Sequence, residues 1–378
     1  MKLPKSVLLF LFFGLLTTRA WAQAKPAPAA GLPDKLSATE FARIITEFSE
    51  PGGDFLSDNL ISNETAYLPV LSKLKELNAT GGAYIGVGPE QNFTYIAKIR
   101  PRIAFIIDIR HLAVMHHLLY KAIFHLSPDR TQFLARLLSR PVGKEKAPAA
   151  NASVGELLDY FTRTPKDEKF YAANLAEIRK TIETEFQIKV STTDQAELEH
   201  VMQSFKLDGL EIAFRFGGGW NTFPSLKDII AQTDVSGKSG HFLASVEDYE
   251  FLRQMQMKNL IIPVNGDFGG KKALATIGDY LRKNNVTVTA FYLSNVEQYL
   301  FGDYTFEAFV RNVKALPTNE QSLFIRSVLD RYDHPARMSG HMFTMLLQRI
   351  PVFVKDFDEG RYRDYYQLVS THYISVGQ

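Results

Sequence analysis

Residues 81–110, GGAYIGVGPEQNFTYIAKIRPRIAFIIDIR, decide the fold of this chain. Residues 83–87 and 103–109 are short, unbroken apolar runs of the kind found in parallel strands buried on both faces. Between them Gly86-Val87-Gly88 makes a turn, and a helical stretch opens at about Pro89, where the missing N–H costs no hydrogen bond. Strand, glycine turn, helix and strand in succession predict a βαβ unit with its two strands parallel.

The same alternation extends outward. Residues 111–126 read as a helix, 260–264 as a strand, 271–283 as a helix, 286–293 as a strand, 296–301 as the start of a helix and 323–329 as one more strand. The expected fold is α/β: a doubly wound, mostly parallel Rossmann-like sheet. Residues 81–140 and 258–330 supply its two halves. Residues 141–257 form a mainly helical insertion, with loops at Gly217-Gly218-Gly219-Trp220 and Ser236-Gly237-Lys238-Ser239-Gly240. Residues 37–80 read as an N-terminal helical segment, in which Ser37-Ala38-Thr39-Glu40 is a capping box and Pro69 falls in the first turn of a second helix. Ser62-Asn63-Glu64 reads as the cap of that second helix, the alternative being a lid over a pocket. Residues 331–378 read as a C-terminal helical segment.

Lys2 and Lys5 precede an apolar run of 10 residues, 7–16, and Ala20-Trp21-Ala22 follows. This is the pattern of a secretory signal cleaved after Ala22, and the run is shorter than the roughly 20 residues a membrane span needs. With no cysteine in 378 residues, neither lipid attachment through Cys nor disulfides enter. A bacterial periplasmic or secreted location is expected. Residues 23–36, rich in Pro and Ala, read as a flexible linker. From Gln23 onward the chain has 40 basic and 41 acidic side chains. No basic field remains to draw nucleic acid, and no membrane partner is expected after cleavage. The expected partner is a small-molecule ligand.

Glycines at the end of a strand let backbone approach a ligand, and the helix beyond offers unpaired N–H groups. Asp108 closes the next strand 20 residues after Gly88, where an acid meets ribose hydroxyls. Gln91 stands where GxGxxG has its third glycine, which disfavours a dinucleotide and leaves a nucleoside. Gly86, Gly88, Glu90 and Asp108 are the candidate cofactor-binding residues. Ligands of open α/β sheets sit beyond the carboxyl ends of the strands, so two later strand ends supply catalytic candidates: Asp267, then Asn295 and Glu297. Asp267 suits proton acceptance from a substrate hydroxyl or amine, or an Asx turn before Gly269-Gly270. Ser294 or Asn295 also suits a helix cap. Tyr292 and Tyr299 fall nearby.

The glycine turn and Asp108 resemble motif I and the acidic strand end of class I S-adenosylmethionine (SAM) methyltransferases, over residues 81–128 and 258–330. The resemblance implies SAM as cofactor, with Gly86 and Gly88 along its methionine part and Asp108 on its ribose. The blocks YIGVGPEQNFTYIA, AFIIDIR, NLIIPVNGDFGG and FYLSNVEQYLF also resemble an uncharacterised exported bacterial family. Two readings follow: methyl transfer from SAM to a small-molecule acceptor, or non-catalytic ligand binding or interaction on a degenerate methyltransferase fold. A third is a metal-dependent hydrolase using Asp267 and Glu297. The histidines form no metal signature; His111, His116 and His117 read as partly buried helix residues. GxSxG and GxxxxGK[ST] are absent.

Overall fold

The computed structural model describes residues 31–143, 147–215, 223–234 and 237–376. The expected signal segment, linker residues 23–30, the Gly217-Gly218-Gly219-Trp220 loop and Ser236 lie outside these. In chain order the elements are α1 (Ala38–Phe48), α2 (Tyr67–Glu76), β1 (Ala83–Gly86), α3 (Gln91–Ile99), β2 (Ile103–Asp108), α4 (His111–Leu126) and α5 (Arg130–Leu138). The insertion adds α6 (Val154–Arg163), α7 (Glu168–Thr184), α8 (Thr192–Asp208), α9 (Leu226–Ala231) and α10 (Val246–Met257). Then come β3 (Ile261–Asn265), α11 (Ala273–Lys283), β4 (Val288–Ser294), α12 (Val296–Gly302), α13 (Phe306–Ala315) and β5 (Leu323–Leu329). The chain closes with β6 (Phe343–Arg349), α14 (Ile350–Asp358), α15 (Tyr365–Ser370) and β7 (Ile374–Ser375).

Every residue of β1, β2 and β3 is buried, which is why these strands read as unbroken apolar runs rather than alternating ones. The seven strands lie in the order β3-β2-β1-β4-β5-β6-β7. β1 to β5 are parallel, β6 runs antiparallel to β5, and β7 antiparallel to β6. The chain winds outward from β1 to β3 and then reverses to β4, so β1 and β4 flank the switch point of a mostly parallel sheet. That is where open α/β sheets present a crevice. The register sets Asp108 beside Asn265 at that carboxyl edge.

Helix α4 is apolar almost all round, and residues 113–124 are buried. It therefore needs cover on both sides. Strands β2 and β3 pack on one side, and α5, α7, α8 and α10 supply the rest.

Two regions differ from expectation. The C-terminal segment is helical only in part: β6 extends the sheet, because residues 343–348 are buried and pair along the length of β5. The end of the expected linker is docked. Leu32 and Leu36 are buried in the core, Leu36 N donates to Lys258 O at 3.0 Å, and Asn259 Nδ2 donates to Leu36 O at 2.9 Å. Burying each leucine contributes about 2 kcal/mol. No helix among the described residues is long and apolar enough to cross a membrane.

Candidate functional site

At the end of β1 the chain turns through Gly88, whose φ of +77° lies in the left-handed region. The turn is tied from inside. Asn92 Nδ2 donates to Val87 O at 2.9 Å, Gly88 O at 3.0 Å and Pro89 O at 2.8 Å, and Asn92 Oδ1 accepts from Tyr84 OH at 2.9 Å. A Cβ on Gly86 would collide with Asn92 Oδ1 and crowd the Tyr84 ring. The space that a bare backbone leaves here is taken by the chain's own amide and phenol. His117 Nε2 donates to Gly88 O at 2.8 Å, and burial pushes this imidazole down to about 4, so it is neutral.

Residues 49–66 form no helix or strand and run across the strand ends as a strap. Irregular segments of this length inside a compact domain are uncommon and usually functional. The strap meets the sheet in its spatial order. At β3, Asn265 N donates to Ser49 Oγ at 2.9 Å and Glu50 N donates to Asn265 O at 2.9 Å. Past β2, Gly53 N donates to Ile109 O at 2.8 Å, and Arg110 Nη1 holds the Ser57 and Asp58 carbonyls. Past β1, Ser62 N donates to the Glu90 carboxylate at 3.0 and 3.2 Å. At β4, Glu64 accepts from Tyr292 OH at 2.7 Å and Ser294 Oγ at 2.6 Å. Ser62-Asn63-Glu64 thus does not cap α2, whose N-cap is Ala66. It is the inner end of a cover over the crevice.

Two acids meet at this cover, Glu64 on the strap and Glu90 beneath it. Burial raises the Glu64 carboxyl above its usual range, against the hydrogen bonds from Ser294 and Tyr292. Burial likewise raises Glu90 to about 7, and the charge of Glu64 adds to this. Phenols surround them: Tyr84, Tyr95 and Tyr292 are all pushed up by burial first and by Glu64 second. A space of about 10 Å³, room for about one water, lies between Glu90, Tyr120, His241 and apolar side chains. Among the described residues, Tyr120 OH and His241 Nε2 have no protein partner.

The residues picked from sequence all lie at or next to strand carboxyl ends, yet most face inward. Both Asp108 carboxylate oxygens are engaged by Arg110: Oδ1 accepts from the backbone N at 3.0 Å and Nε at 2.9 Å, and Oδ2 accepts from Nη2 at 2.7 Å. Asp267 Oδ1 accepts from Gly269 N at 2.8 Å, which is the Asx turn. Asn295 is the N-cap position of α12, without a side-chain cap bond. Glu297 is only 1% exposed and paired with Arg326, whose Nη2 lies 3.0 Å from Oε1. Arg326 also donates to Gln348 Oε1 at 2.5 Å. Glu297 is therefore spent on a buried ion pair and offers no face to a substrate.

Sequence reasoning missed Glu50, Arg110 and Arg326. The Glu50 carboxylate accepts from the backbone N–H of Asp267, Lys271, Lys272 and Ala273 at 3.1–3.4 Å, filling the anion-binding start of α11. Arg110 had one signal: two residues after Asp108, past the end of a strand, it is near enough to fold back. The histidines divide. His116 and His117 are buried, whereas His111 is half-exposed and contacts α8.

A nucleoside needs a free acid for its ribose and open space at the turn. With Asp108 held by Arg110, the strap in place and Glu90 at the start of α3, the residues present do not fit SAM in this conformation. A cleft of about 230 Å³ lies elsewhere, between α7 and α8, lined mainly by Tyr171, Leu175 and Leu198.

The chain has no match among curated proteins. Residues 60–204 and 151–377 match the profile described as a domain of unknown function (DUF7790), and the chain belongs to that family.

Proposed function

We propose that this is an exported, non-catalytic binding or interaction protein, built on a Rossmann-like fold whose nucleoside crevice the chain has closed with its own strap. The observation that carries this is the Asp108–Arg110 pair. The carboxylate positioned for a ribose holds a guanidinium instead, and that guanidinium clamps the strap. Glu50 and Glu90 support the same reading, since each sets an internal carboxylate where a helix start would greet an anionic ligand. A bacterial periplasmic or secreted setting follows from the N-terminal pattern of residues 1–22.

Methyl transfer from SAM to a small-molecule acceptor is the second reading. The glycine turn at β1, with Asp108 at the end of the neighbouring strand, favours it. It requires the strap to lift and Asp108 to leave Arg110. Calorimetric titration of the protein with SAM and S-adenosylhomocysteine separates the two. No heat with either ligand is expected. Micromolar binding that Asp108→Ala abolishes would overturn the first reading in favour of the second.

A further inference from the structure

We propose that His111, Asp194 and Glu197 form a binding site for a zinc-type divalent cation, at the rim of the crevice and clamping the helical insertion to α4. His111 is the first residue of α4, directly after Arg110. Asp194 and Glu197 come from α8, three residues apart, a spacing that sets two side chains on one helix face. The carboxylates flank this imidazole on its two nitrogens, so an ion at Nδ1 beside Glu197 draws Asp194 Oδ1 across from Nε2. Glu197 Oε2 lies 2.8 Å from Nδ1, and Asp194 Oδ1 lies 3.5 Å from Nε2. One ligand atom from each of the three residues falls within 4.8 Å of the other two, close enough for a single ion to gather them.

The donor chemistry selects the ion. One imidazole nitrogen with two carboxylate oxygens suits zinc and its neighbours, whereas magnesium and calcium favour oxygen alone. The side chains are also held as ligands usually are. Asp194 Oδ2 accepts from Ser191 N at 2.8 Å, which fixes the carboxylate and leaves Oδ1 toward the histidine. Helix capping accounts for that Oδ2 bond. It does not account for Glu197, which sits beyond the first turn of α8 and still points at His111. The half-exposed imidazole leaves an entry path. Three protein ligands leave a fourth position for water or a partner's side chain. His200, one turn further along α8, bonds Asp58 of the strap at 2.8 Å. A cation at His111 would thus lie on the same helix face that touches the cover.

The test uses untagged protein stripped with EDTA and titrated with zinc chloride by calorimetry, with magnesium chloride as the comparison. One equivalent of zinc is expected at micromolar affinity, with no saturable magnesium binding. Affinity should fall at least tenfold in His111→Ala and in Glu197→Gln, while circular dichroism stays that of the parent. Absence of saturable zinc binding overturns the proposal. So does binding whose affinity is unchanged in both variants, because the ion would then sit elsewhere.

Discussion

The two halves of the crevice rim are closed by opposite chemistry. Over β2 and β3 the closure is ionic and complete: Asp108 with Arg110, and Glu50 against four backbone N–H groups. Over β1 and β4 it rests on two buried carboxyls, Glu90 and Glu64, met among the described residues by a backbone N–H and by hydroxyls but by no cation. A buried carboxyl without a cation favours its protonated form. The β1 and β4 half of the cover should therefore loosen as pH rises.

The largest effect should come from breaking the ionic half. Arg110→Ala leaves Asp108 buried and unpaired and frees the carbonyls of Ser57 and Asp58. Urea unfolding should show a loss of about 3–5 kcal/mol, with new protease cleavage inside residues 50–58. Next is the proton-linked half. Glu90 has a folded pKa raised from 4.5 to about 7, so the native state binds the extra proton. Its contribution is fully present below pH 4.5 and is lost as pH rises through 7, by roughly 3 kcal/mol in all. The urea midpoint of the parent protein should fall over that window, and Glu90→Gln should flatten the fall. A slope that survives Glu90→Gln would reassign it to Glu64 or another group. Removing the α11 cap with Glu50→Ala should cost about 1 kcal/mol in urea unfolding. The smallest effect belongs to the outer turn of the strap. Leu56 is 74% exposed, and Leu56→Ser should stay within about 0.5 kcal/mol.

The βαβ core was legible because parallel strands buried on both faces write themselves as apolar runs. The predicted 103–109 and 323–329 lie within a residue of β2 and β5. β6 was not legible, since FTMLLQR lies among C-terminal helices with no crossover to announce it. Glycine turns and polar strand ends show where a crevice lies. They do not show what fills it. The partners that decide the site come from far along the chain: Ser62 for Glu90, Tyr292 for Glu64, Arg326 for Glu297, and Glu197 for His111. Such pairings follow from tertiary packing, and no local pattern encodes them. Glu64 was visible beside Ser62 and Asn63, but capping and covering use the same polar residue types.

The strap precedes every strand it crosses. Most of its seats lie at residues 90–110, 265–273 and 292–294, so a chain made from its N-terminus cannot seat residues 49–66 fully until β4 exists. Until then the cover over the strand ends is incomplete. A small molecule present while the chain assembles meets a crevice without its full cover, and one added to the finished protein meets a closed door. Order of addition is thus itself a variable for this fold, and ligand screens begun from denatured chain probe a different surface from those begun with native protein.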